Sequence, residues 1–209
     1  MPSVLLSTAY LPPVEYFAAV ARYGQVWIEA CETYQKQSYR NRCTILTANG
    51  KMNLNIPVAR GGDSFTHSVP ITEIEIDYSE NWPVRHLRAL EAAYMNSPFF
   101  IYYKDELSDI LLSREKSLFT FNLNLIKLLL RFCSIKATTS LTEEYVADYG
   151  ELDFRNRIHP KSKLPSLLEE WKKEKPYWQV FAAKQGFVPN LSIVDLLFNE
   201  GPNAISYLV

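Results

Sequence analysis

The chain has 209 residues, 47% of them hydrophobic and 22% charged, a balance that supports one buried core and is too apolar for a disordered protein. Lys and Arg number 22 against 23 Asp and Glu, for a formal net charge of -1, so no general basic field exists to hold nucleic acid or an anionic lipid surface. A single domain over residues 1–209 is expected, with no nucleic-acid partner.

Taken in chain order, the opening residues MPSVLLSTAYLPP lack the basic start and long apolar run of a secretory signal, which predicts a cytoplasmic protein. Val4 to Ser7 reads as a short strand. After Pro12-Pro13 the apolar residues Val14, Phe17, Ala18 and Ala21 recur at helical spacing, and Gly24 ends that helix. Val26-Trp27-Ile28 is a second apolar run, so residues 3 to 28 form a βαβ unit with parallel strands. Ligands of open parallel sheets bind outside the carboxyl ends of the strands, here Thr8 to Tyr10 and Glu29 to Glu32.

Next comes an unusually polar connection, Tyr34-Gln35-Lys36-Gln37-Ser38-Tyr39-Arg40-Asn41-Arg42. Arginine presents forked donors that match phosphate or carboxylate oxygens, Lys36 adds a point charge, and tyrosine faces stack on rings. The run suits an anionic, ring-bearing small molecule such as a nucleotide sugar. The competing assignment is a hydrophilic loop whose arginines pair with Glu29 and Glu32.

Cys43 to Thr47 and Met52 to Val58 flank Asn49-Gly50 and predict an antiparallel hairpin. Ala59 to Pro70, with Gly61-Gly62 and His67, has no periodicity and reads as a loop, either lid or linker. Ile71, Ile74 and Ile76 predict a strand with Glu73, Glu75 and Asp77 on its solvated side. From Pro83, the stripe Val84, Leu87, Leu90 and Tyr94 predicts a helix ended by Asn96-Ser97-Pro98. Further helices are expected over Asp105 to Leu112 and Leu118 to Phe132. The fold class is therefore α/β: a single domain with an N-terminal βαβ unit, a mixed sheet with a hairpin, and a helical middle section.

Beyond Ser140 the pattern weakens. Glu169 to Lys175 reads as a mixed-charge helix face, and Ser192 with Asp195 resembles a capping box opening a helix that Gly201-Pro202 stops. Phe154-Arg155-Asn156-Arg157 echoes Tyr39-Arg40-Asn41-Arg42, either by chance or as a second basic contribution to the same cleft. The longest apolar stretch, within Phe119 to Phe132, is interrupted by Asn122, Asn124, Lys127 and Arg131, so no membrane insertion is expected.

Local signatures of nucleotide, dinucleotide, zinc-protease and serine-hydrolase sites are absent from the sequence. Cys31, Cys43 and Cys133 form no CxxC pair and read as reduced thiols. The histidines His67, His86 and His159 lack metal-ligand spacing, so no metal site is expected, and no cofactor is indicated. His86 lies at the edge of the apolar stripe of its helix, either as a backbone-bonded core-edge residue or as an acid or base.

Tyr10-Leu11-Pro12 before Tyr16-Phe17, then Lys36, Ser38 and Arg40-Asn41-Arg42, resemble the opening pattern of the WbqC-like family. Trp82, His86, Tyr94, Pro98, Phe99 and Asn124, in that order, resemble its middle section. The resemblance covers residues 3 to 140 and, more weakly, the rest. Many relatives carry Gln-Pro where this chain has Thr8-Ala9 and Asp-Asp where it has Ala30-Cys31, so a role built on those carboxylates passes to Glu29 and Glu32 only if the fold brings them to the cleft.

The family is bacterial and is often encoded among genes for O-antigen and other surface polysaccharides. That setting implies a cytoplasmic transferase that modifies an activated sugar by acyl or aminoacyl transfer, with polysaccharide-synthesis enzymes as partners. Arg40 and Arg42 are then expected to bind a diphosphate or carboxylate together with Lys36 and Asn41, Tyr10 and Tyr39 to pack on a ring, and His86 to act as general acid or base. The alternative is a non-catalytic glycan-binding or scaffold protein.

Overall fold

The computed structural model describes residues 3–59 and 69–209. Strand β1 (Val4–Ser7) is buried along its apolar length. Its chain turns at Pro12-Pro13 into helix α1 (Val14–Tyr23), and Gly24, at φ 69°, closes that helix by donating its N–H to the Val20 carbonyl. Strand β2 (Gln25–Glu29) then returns parallel to β1, with Val4 opposite Val26 and Ser7 opposite Glu29. The βαβ reading holds, and its register brings Ser7 and Glu29 level at the carboxyl edge.

A third parallel strand, β5 (Thr138–Leu141), lies against the other side of β2. Its residues TTSL are mostly exposed and polar, so no apolar run announced it. The hairpin forms from β3 (Arg42–Thr47) and β4 (Gly50–Asn55) as a separate two-stranded ladder. Ala48 and Asn49 make the turn, and Gly50 takes the positive φ of 101° at the first paired position.

The middle of the chain is helical, with α2 (Trp82–Tyr94), α3 (Phe100–Leu112) and α4 (Leu118–Phe132). Ser117 caps α4 by accepting the Thr120 N–H, and the buried residues Leu118, Phe121, Leu125 and Leu129 form its inner stripe. A contiguous apolar core joins these helices to α1, the hairpin and the carboxy-terminal helix.

Three expectations differ from the structure. Residues Ile71–Glu73 form a 3-10 turn rather than the start of a strand. The following stretch is extended but bonds alternately to two flanking segments, Ile76 N–H to Lys116 and Asp77 N–H to Pro57, so no regular ladder forms. The charged run supports only one helical turn, α5 (Leu167–Glu170), because Lys172 adopts φ 56° and the exposed residues beyond it have no apolar stripe to bury. The capping box at Ser192 and Asp195 does not form either. Ser192 Oγ donates to the Leu11 carbonyl, and Asp195 turns into the core of α7 (Ile193–Glu200), where the phenols of Tyr94 and Tyr177 and the amide of Gln179 donate to it. Another short helix, α6 (Ala182–Gln185), precedes α7. The stretch Ala59 to Pro70, with His67, falls almost wholly outside the described residues.

Candidate functional site

The carboxyl edge of the parallel sheet holds two buried guanidinium–carboxylate clusters. Glu32, three residues past β2, receives Arg40 in a fork: Nε donates to Oε1 at 2.8 Å and Nη2 to Oε2. Ser7 Oγ donates to Glu32 Oε2 at 3.0 Å and accepts from Arg40 Nη2 at 2.8 Å. Arg40 is 2% exposed and Glu32 4%, so the pair is desolvated and depends on this geometry.

Glu29, the last residue of β2, is fully buried and receives Arg155 Nη1 at 2.7 Å. Its other oxygen accepts from Thr142 Oγ1 at 2.6 Å and from the Cys31 N–H at 2.9 Å. Arg155 also donates to Asp153 and to the Val146 carbonyl, and the Tyr145 ring lies over it at 4.8 Å. The Asp153 bond, followed by desolvation in the other direction, leaves its guanidinium well above the ordinary range. Arg155 reaches Glu29 across 126 residues of chain. The repeated aromatic-Arg-Asn-Arg tetrapeptide was the one sequence signal for it.

Above these clusters opens a cleft of about 360 Å³ lined by Cys31, Glu32, Thr33, Gln35, Tyr145, Arg155 and Asn156. A second, much smaller cavity of about 10 Å³ lies where Ser7, Thr8, Tyr39, Arg40 and Arg155 meet. Arg155 lines both.

Of the residues named from sequence, Tyr39 and Arg40 reach this edge, while Lys36, Asn41 and Arg42 line neither cavity. Arg40 lies beneath the cleft, committed to Glu32, and Tyr39 lines the small cavity with its phenol pushed up to about 12 by burial. Arg42, half-buried at the head of β3, has a buried Nε without a hydrogen-bond acceptor. Asn41 donates to the Ile56 carbonyl and thereby fixes the loop to the hairpin. Lys36 is exposed in the loop.

Tyr10 and His86 come together elsewhere, in the core between α2 and the hairpin. The Tyr10 hydroxyl lies 2.9 Å from His86 Nδ1, and the Trp82 ring packs edge-on at 5.0 Å. Burial, and secondarily Arg85, pushes the imidazole down to about 4, while burial raises the Tyr10 phenol. With a ring N–H of the neutral imidazole donating to the Asn55 backbone, Nδ1 is left as the acceptor and the Tyr10 hydroxyl donates to it. Neither residue lines the two cavities described above.

Ser7, Thr142 and Tyr145 were not legible as site residues, whereas Cys31 falls within the span Glu29 to Glu32 expected at the strand ends and Asn156 within the repeated tetrapeptide. Cys31 lines the cleft, while Glu29 and Glu32 on either side of it in sequence are brought to the same edge and both are occupied by arginine. Among the described residues no group of His, Cys, Asp and Glu is arranged to hold a metal ion, and no helix is long and apolar enough to cross a membrane.

The WbqC-like protein family is matched over residues 8–163 and 166–207. The chain is also similar to an uncharacterized protein of Mycobacterium tuberculosis, with 26% identity over 232 residues covering 98% of this chain and 96% of that one. No solved structure matches.

Proposed function

The chain belongs to the WbqC-like protein family, and from that premise we propose that it is a cytoplasmic transferase of bacterial surface-polysaccharide biosynthesis, of the O-antigen type. In this reading it modifies an activated sugar by acyl or aminoacyl transfer. The observation that carries the reading is the cleft itself: about 360 Å³, at the carboxyl edge of a parallel sheet, with a lining rich in hydrogen-bonding side chains. That volume and polarity suit a hydroxyl-rich substrate better than an apolar one.

Electrostatics sharpen which residues face the ligand. Arg40 and Arg155 are opposed by Glu29, Glu32 and Asp153, so their role is to shape the floor. Arg42, which lines neither cavity but has no carboxylate partner among the described residues, is the remaining candidate for a phosphate or carboxylate at the margin of the cleft, with Lys36 on the preceding loop. His86 is neutral at neutral pH, as a general base must be, but it is bonded to Tyr10 in the core and lines neither cavity, so it would act as a base only on a group that reaches the Tyr10–His86 pair.

The proposal is tested by calorimetric titration of nucleotide sugars into the parent and into Arg42→Ala and Asn156→Ala. Each variant should bind at least tenfold more weakly, with a Tm within about 2 °C of the parent, since neither side chain is in the core. Unchanged affinity in both would remove the assignment.

A second reading, a glycan-binding or scaffold protein without turnover, is favoured by one feature: each acidic and guanidinium group of the cleft floor is already paired. Incubating the purified protein with a nucleotide sugar and acyl donors separates the two, because product formed by this protein alone requires catalysis.

A further inference from the structure

Thr8 directly follows β1, is fully buried, and its Oγ1 has no hydrogen-bond partner. A buried hydroxyl without a partner is destabilising, so its presence calls for an explanation beyond packing. Thr8 lines the small cavity that Arg40 and Arg155 also line. Each guanidinium has five N–H groups and makes four hydrogen bonds: Arg40 to Glu32 twice, Ser7 and Gln35; Arg155 to Asp153 twice, Glu29 and Val146. One Nη1 hydrogen remains on each. A cavity of about 10 Å³ accepts one oxygen-sized atom.

The charge around the cavity selects which oxygen. Three carboxylates, Glu29, Glu32 and Asp153, stand against the two guanidiniums, so a phosphate or carboxylate oxygen would add a fourth negative charge in a desolvated place. An uncharged hydroxyl meets no such repulsion. It can accept from a guanidinium N–H and exchange a hydrogen bond with Thr8 Oγ1. Arg155 lines both the cavity and the large cleft, so the two are neighbours across this side chain.

We propose that Thr8, Arg40 and Arg155 form a specificity seat for one uncharged hydroxyl of the sugar bound in the cleft. The seat rests on the reading of the cleft as a sugar site. It assigns the sugar, rather than the diphosphate, to the buried arginines.

The test uses Thr8→Val, which removes the hydroxyl at nearly constant shape, and Thr8→Ser, which keeps it. The probe is whichever of the UDP-, GDP- and dTDP-linked hexoses raises the parent Tm most, titrated beside the matching nucleoside diphosphate alone. Thr8→Val should bind the nucleotide sugar at least tenfold more weakly and the diphosphate as the parent does, with an unchanged or higher Tm. Thr8→Ser should bind within threefold of the parent.

If Thr8→Val binds the nucleotide sugar like the parent, the seat is refuted while the cleft stands. A fall of several degrees in Tm with unchanged affinity also refutes it and identifies the partner of Thr8 as a resident water. If no nucleotide sugar binds the parent, the seat fails together with the reading of the cleft.

Discussion

His86 couples the core to pH. Its imidazole titrates near 4 in the fold, against about 6.5 for an unfolded chain, because burial disfavours the cation. The unfolded state therefore takes up the proton first, so stability present above about pH 6.5 is lost as pH falls toward 4. The loss attributable to this residue is on the order of 3 kcal/mol. Thermal denaturation across that window should show a steeper fall in Tm for the parent than for His86→Gln. Arg40 makes a second prediction at this scale. Removing a guanidinium from a desolvated pair leaves Glu32 charged and alone, so Arg40→Ala should cost about 3–5 kcal/mol, or about 10 °C in Tm. The double variant Arg40→Met with Glu32→Leu should recover most of that loss, since neither charge is then stranded.

Elements carry their own constraints, and Gly201 is the sharpest. It ends α7 at φ 55°, and a Cβ there would overlap the Phe99 ring. Gly201→Ala combines backbone strain with a clash inside the core, for an expected cost of at least about 2 kcal/mol in chemical denaturation. Helices were the most legible elements, because α2 and α4 display apolar stripes and Pro83 marks the start of α2. The βαβ unit was legible for a similar reason, with Gly24 marking the boundary. Strand β5 was hidden because its residues look like a loop until β2 is beside them. Asp195 misled because its type fits a helix cap, whereas the phenols that claim it come from Tyr94 and Tyr177, elsewhere in the sequence. The polar run was visible as unusual, and pairing of its arginines with Glu29 and Glu32 stood as the competing assignment; Arg40 does pair with Glu32, whereas Glu29 takes Arg155 instead. A loop sequence specifies residue types without specifying which side of the chain is solvated.

At the scale of the whole molecule, the two ends of the sequence are fastened to each other. Glu15 in α1 accepts the Leu167 N–H at 2.9 Å and the Asn190 amide at 2.8 Å, while Ser192 bonds to the Leu11 carbonyl. Arg155 locks the later half of the chain onto Glu29 beneath the cleft. Cutting the chain after Pro189 removes α7 from the core and should abolish cooperative unfolding monitored by circular dichroism. The same architecture explains why the candidate site was only half visible: one arginine lies in the run between β2 and β3, and the other arrives from residue 155.

Cys31 offers the most direct test of the cleft, because it lines the cavity and is partly accessible while Cys43 and Cys133 are buried. The measurement is the rate of iodoacetamide alkylation at each cysteine, read by peptide mass spectrometry, with and without a saturating nucleotide sugar. Cys31 should be modified far faster than the other two, and the ligand should slow its modification at least tenfold. Alkylation of Cys31 at the same rate with the nucleotide sugar bound would contradict the assignment of this cleft as the substrate site.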